Sequence, residues 1–250
     1  MKIGIIGLGL IGGSIFKDLN KLNYDVIGIS KSQKGANIYQ DYSQLKDCDI
    51  VFVCTQMNKT LETLDKLENV VSPNTIVTDV CSLKSFVCNK KRPYKFIPSH
   101  PMAGTEKKGF ENSFEGLFKN AKWVITPVYG SDDKLVELIT KMGATPIIST
   151  PEEHDKAVAL ISHMPMLISQ AIFKTAQDNK LALDIASSGF RDMTRLAMSN
   201  EEMANDMITM NAENIQMSLL KLYKSIGDLT NSKYLEQISE IKTNRQKMFL

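Results

Sequence analysis

Arginine is scarce in this 250-residue chain: Arg92, Arg191, Arg195 and Arg245 are the only four among 30 basic residues. The 28 acidic residues leave a net charge of +2, so there is no strong field to draw nucleic acid or an anionic membrane, and neither is expected as a partner. Cysteine is also sparse. Cys48, Cys54, Cys81 and Cys88 form no C-x-x-C pair and sit in or beside apolar runs, which suits buried, reduced thiols in a cytoplasmic protein with no metal site. No uninterrupted apolar run reaches eighteen residues, so no membrane span is expected. Residues 3–16 are apolar, but glycines interrupt them, no small-residue cleavage site follows, and Lys17 and Asp18 suit an amphipathic helix better than a signal peptide. A hydrophobic content of 43% is ordinary for a soluble globular chain, and the length allows one or two domains with a full core.

The most informative feature present is the opening run Met1 to Ser14. Gly7, Gly9 and Gly12 stand in G-x-G-x-x-G spacing, after an apolar strand at Ile3–Ile6 and before a helix beginning at Leu10. That context makes the motif a dinucleotide site. Gly7 serves the tight turn, Gly9 lets the backbone approach a pyrophosphate, and Gly12 lets helix and strand pack closely. The first N–H groups of the helix lack internal partners and point at the phosphates. Leu8, Leu10, Ile11, Thr55 and Asp79 complete the expected cofactor contacts.

A second absence bears on the cofactor. In such folds the second strand ends in a carboxylate that bonds the adenosine ribose. Here Val26–Ile29 runs into Ser30, Lys31 and Ser32, with Lys34 close behind. Nothing repels a 2′-phosphate, and hydroxyls and ammonium groups are there to receive one. A charge-assisted hydrogen bond contributes roughly 1.5–3 kcal/mol, so NADP is expected ahead of NAD. The alternative is a solvated loop that leaves NAD equally good.

Up to residue 150, short β runs alternate with helical patterns, at Lys2–Ile6, Asp25–Ser30, Ile50–Cys54, Thr75–Val80, Lys95–Pro98, Lys122–Thr126 and Thr145–Ile148. This predicts an α/β, mainly parallel, doubly wound sheet. From residue 151 the periodicity is helical, over 151–178, about 201–223 and about 230–247. Thr150 reads as an N-cap, Pro151 as the first helical residue and Glu153 as the closing member of a capping box. Pro165 should kink or break the first helix near His163. Residues 1–150 are thus expected to form a dinucleotide-binding domain of Rossmann type, and 151–250 an all-helical substrate and dimerisation domain. Long helices alone would not enclose a core, so a homodimer is expected.

The candidate chemistry lies in three clusters. His100, one of only three histidines with His154 and His163, follows a predicted strand in Pro98-Ser99-His100-Pro101-Met102-Ala103-Gly104-Thr105-Glu106. Ligands of open α/β sheets bind outside the carboxyl ends of strands, and an imidazole there suits a general base. Ser82, in Asp79-Val80-Cys81-Ser82-Leu83-Lys84, also follows a strand end and could bond both the histidine and a substrate hydroxyl. In Gly189-Phe190-Arg191-Asp192-Met193-Thr194-Arg195, a helix would put Asp192 and Arg195 on one face. That is either a carboxylate-binding arginine or a plain surface ion pair.

Together the blocks at 7–14, 79–84, 99–106, 150–155, 162–165 and 189–197 resemble the prephenate and arogenate dehydrogenase family of tyrosine biosynthesis. The resemblance implies an NAD(P)-dependent oxidative decarboxylation of prephenate or arogenate, with His100 as catalytic base and Ser82 orienting it. Arg195 would hold the ring carboxylate, His163 would line the pocket, and Glu106, Asp192 and Ser199 would gate it, with Thr105 near the nicotinamide. Two departures stand out. Met166 replaces a second histidine common in prephenate users, and Ala204 replaces an aromatic residue. Both affect the side-chain end of the substrate and tilt the expectation to arogenate or dual use. No appended regulatory or chorismate mutase domain is expected. On the residues alone, a β-hydroxyacid dehydrogenase or imine reductase type, or a nucleotide-binding regulator without turnover, remains the alternative.

Overall fold

The computed structural model describes residues 1–105, 107–230 and 234–249. Its first sheet contains β1 (Lys2–Ile6), β2 (Asp25–Ile29), β3 (Ile38–Tyr39), β4 (Ile50–Val53), β5 (Ile76–Asp79) and β6 (Lys95–Phe96). They pair in the order β3-β2-β1-β4-β5-β6, all parallel. The reversal of direction between β1 and β4 leaves a crevice at their carboxyl ends. Ile50 to Val53 are fully buried, as a strand covered on both faces must be. Helix α1 (Leu10–Lys21) covers one face with Ile15 and Leu19, and α2 (Met57–Leu67) covers the other with Leu64 and Leu67.

Two glycines of the opening loop carry specific constraints. Gly7 sits at φ +89°, and a Cβ there would come within 2.6 Å of the Cys54 carbonyl oxygen. A Cβ on Gly12 would collide with the carbonyl of Gly7. Residues 2–21 are therefore an inner strand of the sheet and the helix that packs on it.

A second, three-stranded sheet follows: β7 (Ser99–Pro101), β8 (Lys122–Ile125) and β9 (Thr145–Ile148), antiparallel between β7 and β8 and parallel between β8 and β9. The expected strand Lys95–Pro98 is thus two pieces of different sheets. Ile97 still donates to Val77 O in the first, but Pro98 has no N–H to continue the ladder, and its carbonyl accepts from Thr126 N instead. Trp123, buried between Phe52 and Phe118, joins the sheets through the core. Helix α3 (Asp133–Lys141) ends before Gly143, at φ +88°.

The helical region begins with α4 (Pro151–Val158). Thr150 accepts from Glu153 N and the Glu153 carboxylate accepts from Thr150 N, so the capping box forms as expected. Pro165 does not break the helix. The chain widens into a π-helical turn at Ala159–His163, with Met164 N donating to Ala159 O, and continues as α5 (Met164–Ala176). The wide turn leaves room for the proline ring. Short helices α6 (Lys180–Asp184), α7 (Ser188–Met193) and a 3₁₀ turn (Arg195–Met198) precede α8 (Glu201–Met210), α9 (Ala212–Leu229) and α10 (Tyr234–Phe249). The expected helix over about 201–223 is therefore split at Asn211. The run Pro151–Ala176 is, by length and composition, apolar enough to cross a membrane. It also carries buried His154, Asp155 and His163, of which His154 meets His100 on β7 and Asp155 meets the loop after β5.

Candidate active site

Parallel pairing puts the ends of β1, β4 and β5 at one edge, so the glycine loop, Thr55 and the loop holding Ser82 share it. The loop fits a pyrophosphate: a Cβ on Gly9 would stand in open space, and no acidic residue occupies the first turn of α1. Leu8 is buried against Gly28, while Leu10 and Ile11 are half-buried. Thr55 Oγ1 lies 3.1 Å from Thr60 Oγ1. At the end of β2, the Ser30 hydroxyl accepts from Gln33 N at 3.0 Å, and Lys31, Ser32 and Lys34 are exposed.

All three histidines converge. His100 Nδ1 lies 2.9 Å from His154 Nε2, and His154 Nδ1 lies 2.8 Å from Asp155 Oδ1. Asp155 also accepts from Lys84 N at 2.8 Å and Ser85 N at 2.9 Å, which ties α4 to the loop after β5. Asn211, at the break between α8 and α9, donates to the Asp155 carbonyl at 2.9 Å and contacts His163 Nδ1 at 3.2 Å. His163 Nε2 is buried without a hydrogen-bond partner among the described residues. Burial, the neighbouring His154, Lys84 and His163 push the His100 imidazole well below its ordinary pKa, so it is neutral at pH 7. Burial lowers His163 to about 4, with Asp155 opposing and His154 adding to the shift. Burial works to raise the Asp155 carboxyl, but hydrogen bonds from His154, Ser85 and Lys84 win and hold it below its usual range.

The strand that aims His100 is fixed through its neighbour. Ser99 Oγ accepts from Trp123 Nε1 at 2.9 Å and lies 2.8 Å from Thr78 Oγ1. Ser99 O accepts from Lys84 Nζ at 2.6 Å. His100 is therefore a strand residue rather than a loop residue. Ser99, His154, Asp155 and Asn211 were missed as site residues. The dipeptide His154-Asp155 was the visible signal: an imidazole beside a carboxylate at a helix start.

Several expected residues stand elsewhere. Asp79 is fully buried, bonded to Lys84 Nζ, Cys81 N and Ser99 N, so it is enclosed away from any cofactor. Ser82 makes no hydrogen bond to His100 among the described residues; His154 holds that position. Asp192 pairs with its neighbour Arg191 at 3.6 Å, not with Arg195, because α7 ends at Met193 before the 3₁₀ turn begins. Arg195 is exposed, with no carboxylate partner among the described residues. Ser199 Oγ donates to Leu196 O, and Thr105 is exposed with its hydroxyl accepting from Lys107 N. Glu106 lies outside the described residues. Met166 and Ala204 meet in one buried apolar cluster with Met57, Leu83 and Met207. The four thiols are free, and burial pushes Cys81 up to about 12, which keeps it protonated.

Residues 28–161 match the family model described as prephenate dehydrogenase, nucleotide-binding domain, and residues 150–242 match prephenate dehydrogenase, dimerization domain. The prephenate dehydrogenase of Bacillus subtilis (strain 168) is 32% identical over 238 residues, covering 84% of this chain and 64% of that protein. The one from Lactococcus lactis subsp. cremoris is 31% identical over 234 residues, covering 85% and 65%. The chain thus spans just under two thirds of the length of these curated relatives. The crystal structure of Synechocystis arogenate dehydrogenase superposes with a TM-score of 0.81 at 34% identity, covering 99% of this chain and 97% of that one. The strands after residue 28, the strand that carries His100 and the helical half lie within matches running from residue 28 to residue 242: the chain belongs to the prephenate dehydrogenase family.

Proposed function

We propose that the chain is a dehydrogenase that oxidatively decarboxylates arogenate or prephenate, with arogenate or dual use favoured and NADP preferred over NAD. The observation that carries this is a neutral His100 whose Nδ1 is engaged by His154, leaving Nε2 as the proton acceptor. When bound, a nicotinamide dinucleotide supplies the hydride acceptor. Gly7, Gly9, Gly12 and the start of α1 would hold its pyrophosphate, and Ser30, Lys31, Ser32 and Lys34 a 2′-phosphate. His100 takes the proton of the ring hydroxyl, and the oxygen's electron pair expels hydride from the same carbon. Loss of the ring carboxylate as carbon dioxide returns its bonding electrons to the ring, which becomes aromatic, and the phenolate oxygen takes back the proton that His100 holds. Aromatisation drives the step, so the protein mainly aligns and deprotonates.

In this reading Arg195, exposed and without a carboxylate partner among the described residues, receives the ring carboxylate, and His163 turns its Nε2 to the pocket. Glu106, Asp192, Ser199 and Thr105 remain the surrounding polar group, and Ser82 faces the substrate hydroxyl rather than His100. Met166 and Ala204 form an apolar wall where a histidine and an aromatic residue would grip a keto acid, which favours the amino-acid side chain of arogenate. The relatives' names include both substrates. Residues 1–150 act as the cofactor domain and 151–250 as the substrate and dimerisation domain, in a cytoplasmic homodimer consistent with free thiols.

The test is absorbance at 340 nm with prephenate or arogenate, each with NAD or NADP. Turnover in any combination supports the reaction, and the ratios of kcat/KM decide substrate and cofactor. Folded protein that binds dinucleotide but turns over none of the four overturns it.

A further inference from the structure

The proposed reaction uses the contact of His154 with His100 but gives no role to Asp155 and leaves the direction of the bonds along this chain unassigned. We propose that His154, anchored by Asp155, is a positioning residue that keeps the His100 hydrogen on Nδ1 and so leaves Nε2 bare toward the pocket. This rests on the dehydrogenase reading for its consequence in turnover, but not for the tautomer itself.

The direction of each bond follows from the end of the chain. Asp155 is ionised and its two oxygens already accept from Lys84 N and Ser85 N, so toward His154 it can only accept. The hydrogen between them therefore sits on His154 Nδ1. A neutral imidazole with its hydrogen on Nδ1 presents a lone pair at Nε2. That lone pair meets His100 Nδ1 at 2.9 Å, so His100 must donate there. A neutral His100 that donates from Nδ1 has no hydrogen on Nε2. The ring centroids lie 5.2 Å apart with 74° between planes, a separation that fits two ring nitrogens meeting end to end and an angle that an N–H aimed at an in-plane lone pair allows. Both His154 and Asp155 are buried, which keeps water from supplying competing partners. The reverse polarity, with a hydrogen on His154 Nε2, would force the His100 hydrogen onto Nε2 and abolish the base.

The chain has three histidines, so its imidazole nitrogens can be assigned one by one. Long-range ¹H–¹⁵N correlation spectra of the labelled full chain at pH 7.5, without substrate, should show His100 protonated on Nδ1 and bare on Nε2. His154→Leu removes the acceptor and should move the His100 hydrogen to Nε2. His154→Gln keeps a carbonyl in reach and should restore Nδ1–H. In turnover, His154→Leu should lower kcat by roughly 10²–10⁴ with KM little changed, and His154→Gln should recover most of it. A wild-type His100 protonated on Nε2, or Gln no better than Leu in both readouts, overturns the proposal. The wild-type spectrum needs no variant to fold. Inactivity on every substrate with His100 protonated on Nδ1 would sink the dehydrogenase reading and leave the relay standing; activity with Nε2–H would do the opposite.

Discussion

A bare Nε2 on His100 has to be the atom that takes the proton if the proposed reaction is right. His100→Asn keeps a polar side chain of similar reach but no base. It should lower kcat by roughly 10²–10⁴ while dinucleotide binding, followed by fluorescence titration, stays intact. Wild-type turnover in that variant would refute the assignment. His163 makes a separate statement about stability. The unfolded chain takes this proton near pH 6.5, the native protein only near 4. Between those values the unfolded state binds more protons, so stability falls as pH drops through the window, by roughly 2 kcal/mol between pH 7.5 and 5. Urea midpoints at the two pH values measure it, and His163→Asn should lose less between them than wild type; equal losses would acquit His163. At this scale the sequence singles out His100, through its place beyond a strand, and the glycines, through their spacing, as candidates. It did not disclose the partner of His100, because His154 is 54 positions away and only tertiary packing brings the rings together. Asp79 misled for the same reason: a carboxylate at a strand end faces a ligand in one fold and a buried lysine in another.

Helix α4 is held at its start by a local device, and local devices are the most legible. The hydroxyl, proline and glutamate of Thr150, Pro151 and Glu153 announced the cap from four consecutive residues. Thr150→Ala should lower unfolding free energy by about 1 kcal/mol in urea. An unchanged midpoint would mean the cap contributes nothing. The irregular elements were not legible. Pro165 signals a disturbed helix but not its remedy, since a wide turn and a break remove the same hydrogen bond. The interruption at Asn211 left no mark in the hydrophobic pattern, yet it delivers the amide that joins His163 to Asp155. Likewise Ser99–Pro101 is too short to show a period, and its sheet is assigned only by pairing with β8.

For the molecule as a whole, the apolar surface of the helical half is the dominant feature. Met217, Leu220, Tyr223 and Ile226 on α9, with Leu235 and Ile241 on α10, are each more than half exposed. A second copy is the proposed cover, so sedimentation velocity at micromolar concentration should give a dimer; a monomer would remove that proposal. The alternation of strands and helices and the change to helices alone after residue 150 were readable because both rest on periodicity, which survives without tertiary information. What periodicity could not show is how the two sheets are joined. Lys84, wholly enclosed, donates to Asp79 at the end of one sheet and to Ser99 at the start of the other. That junction doubles as a clock. An amine-acylating reagent will modify exposed Lys31 and Lys34 at the rate of the chemistry. It can reach Lys84 only when the sheets part, so the lag of that one peptide in a mass-spectrometric time course reports how often the protein opens.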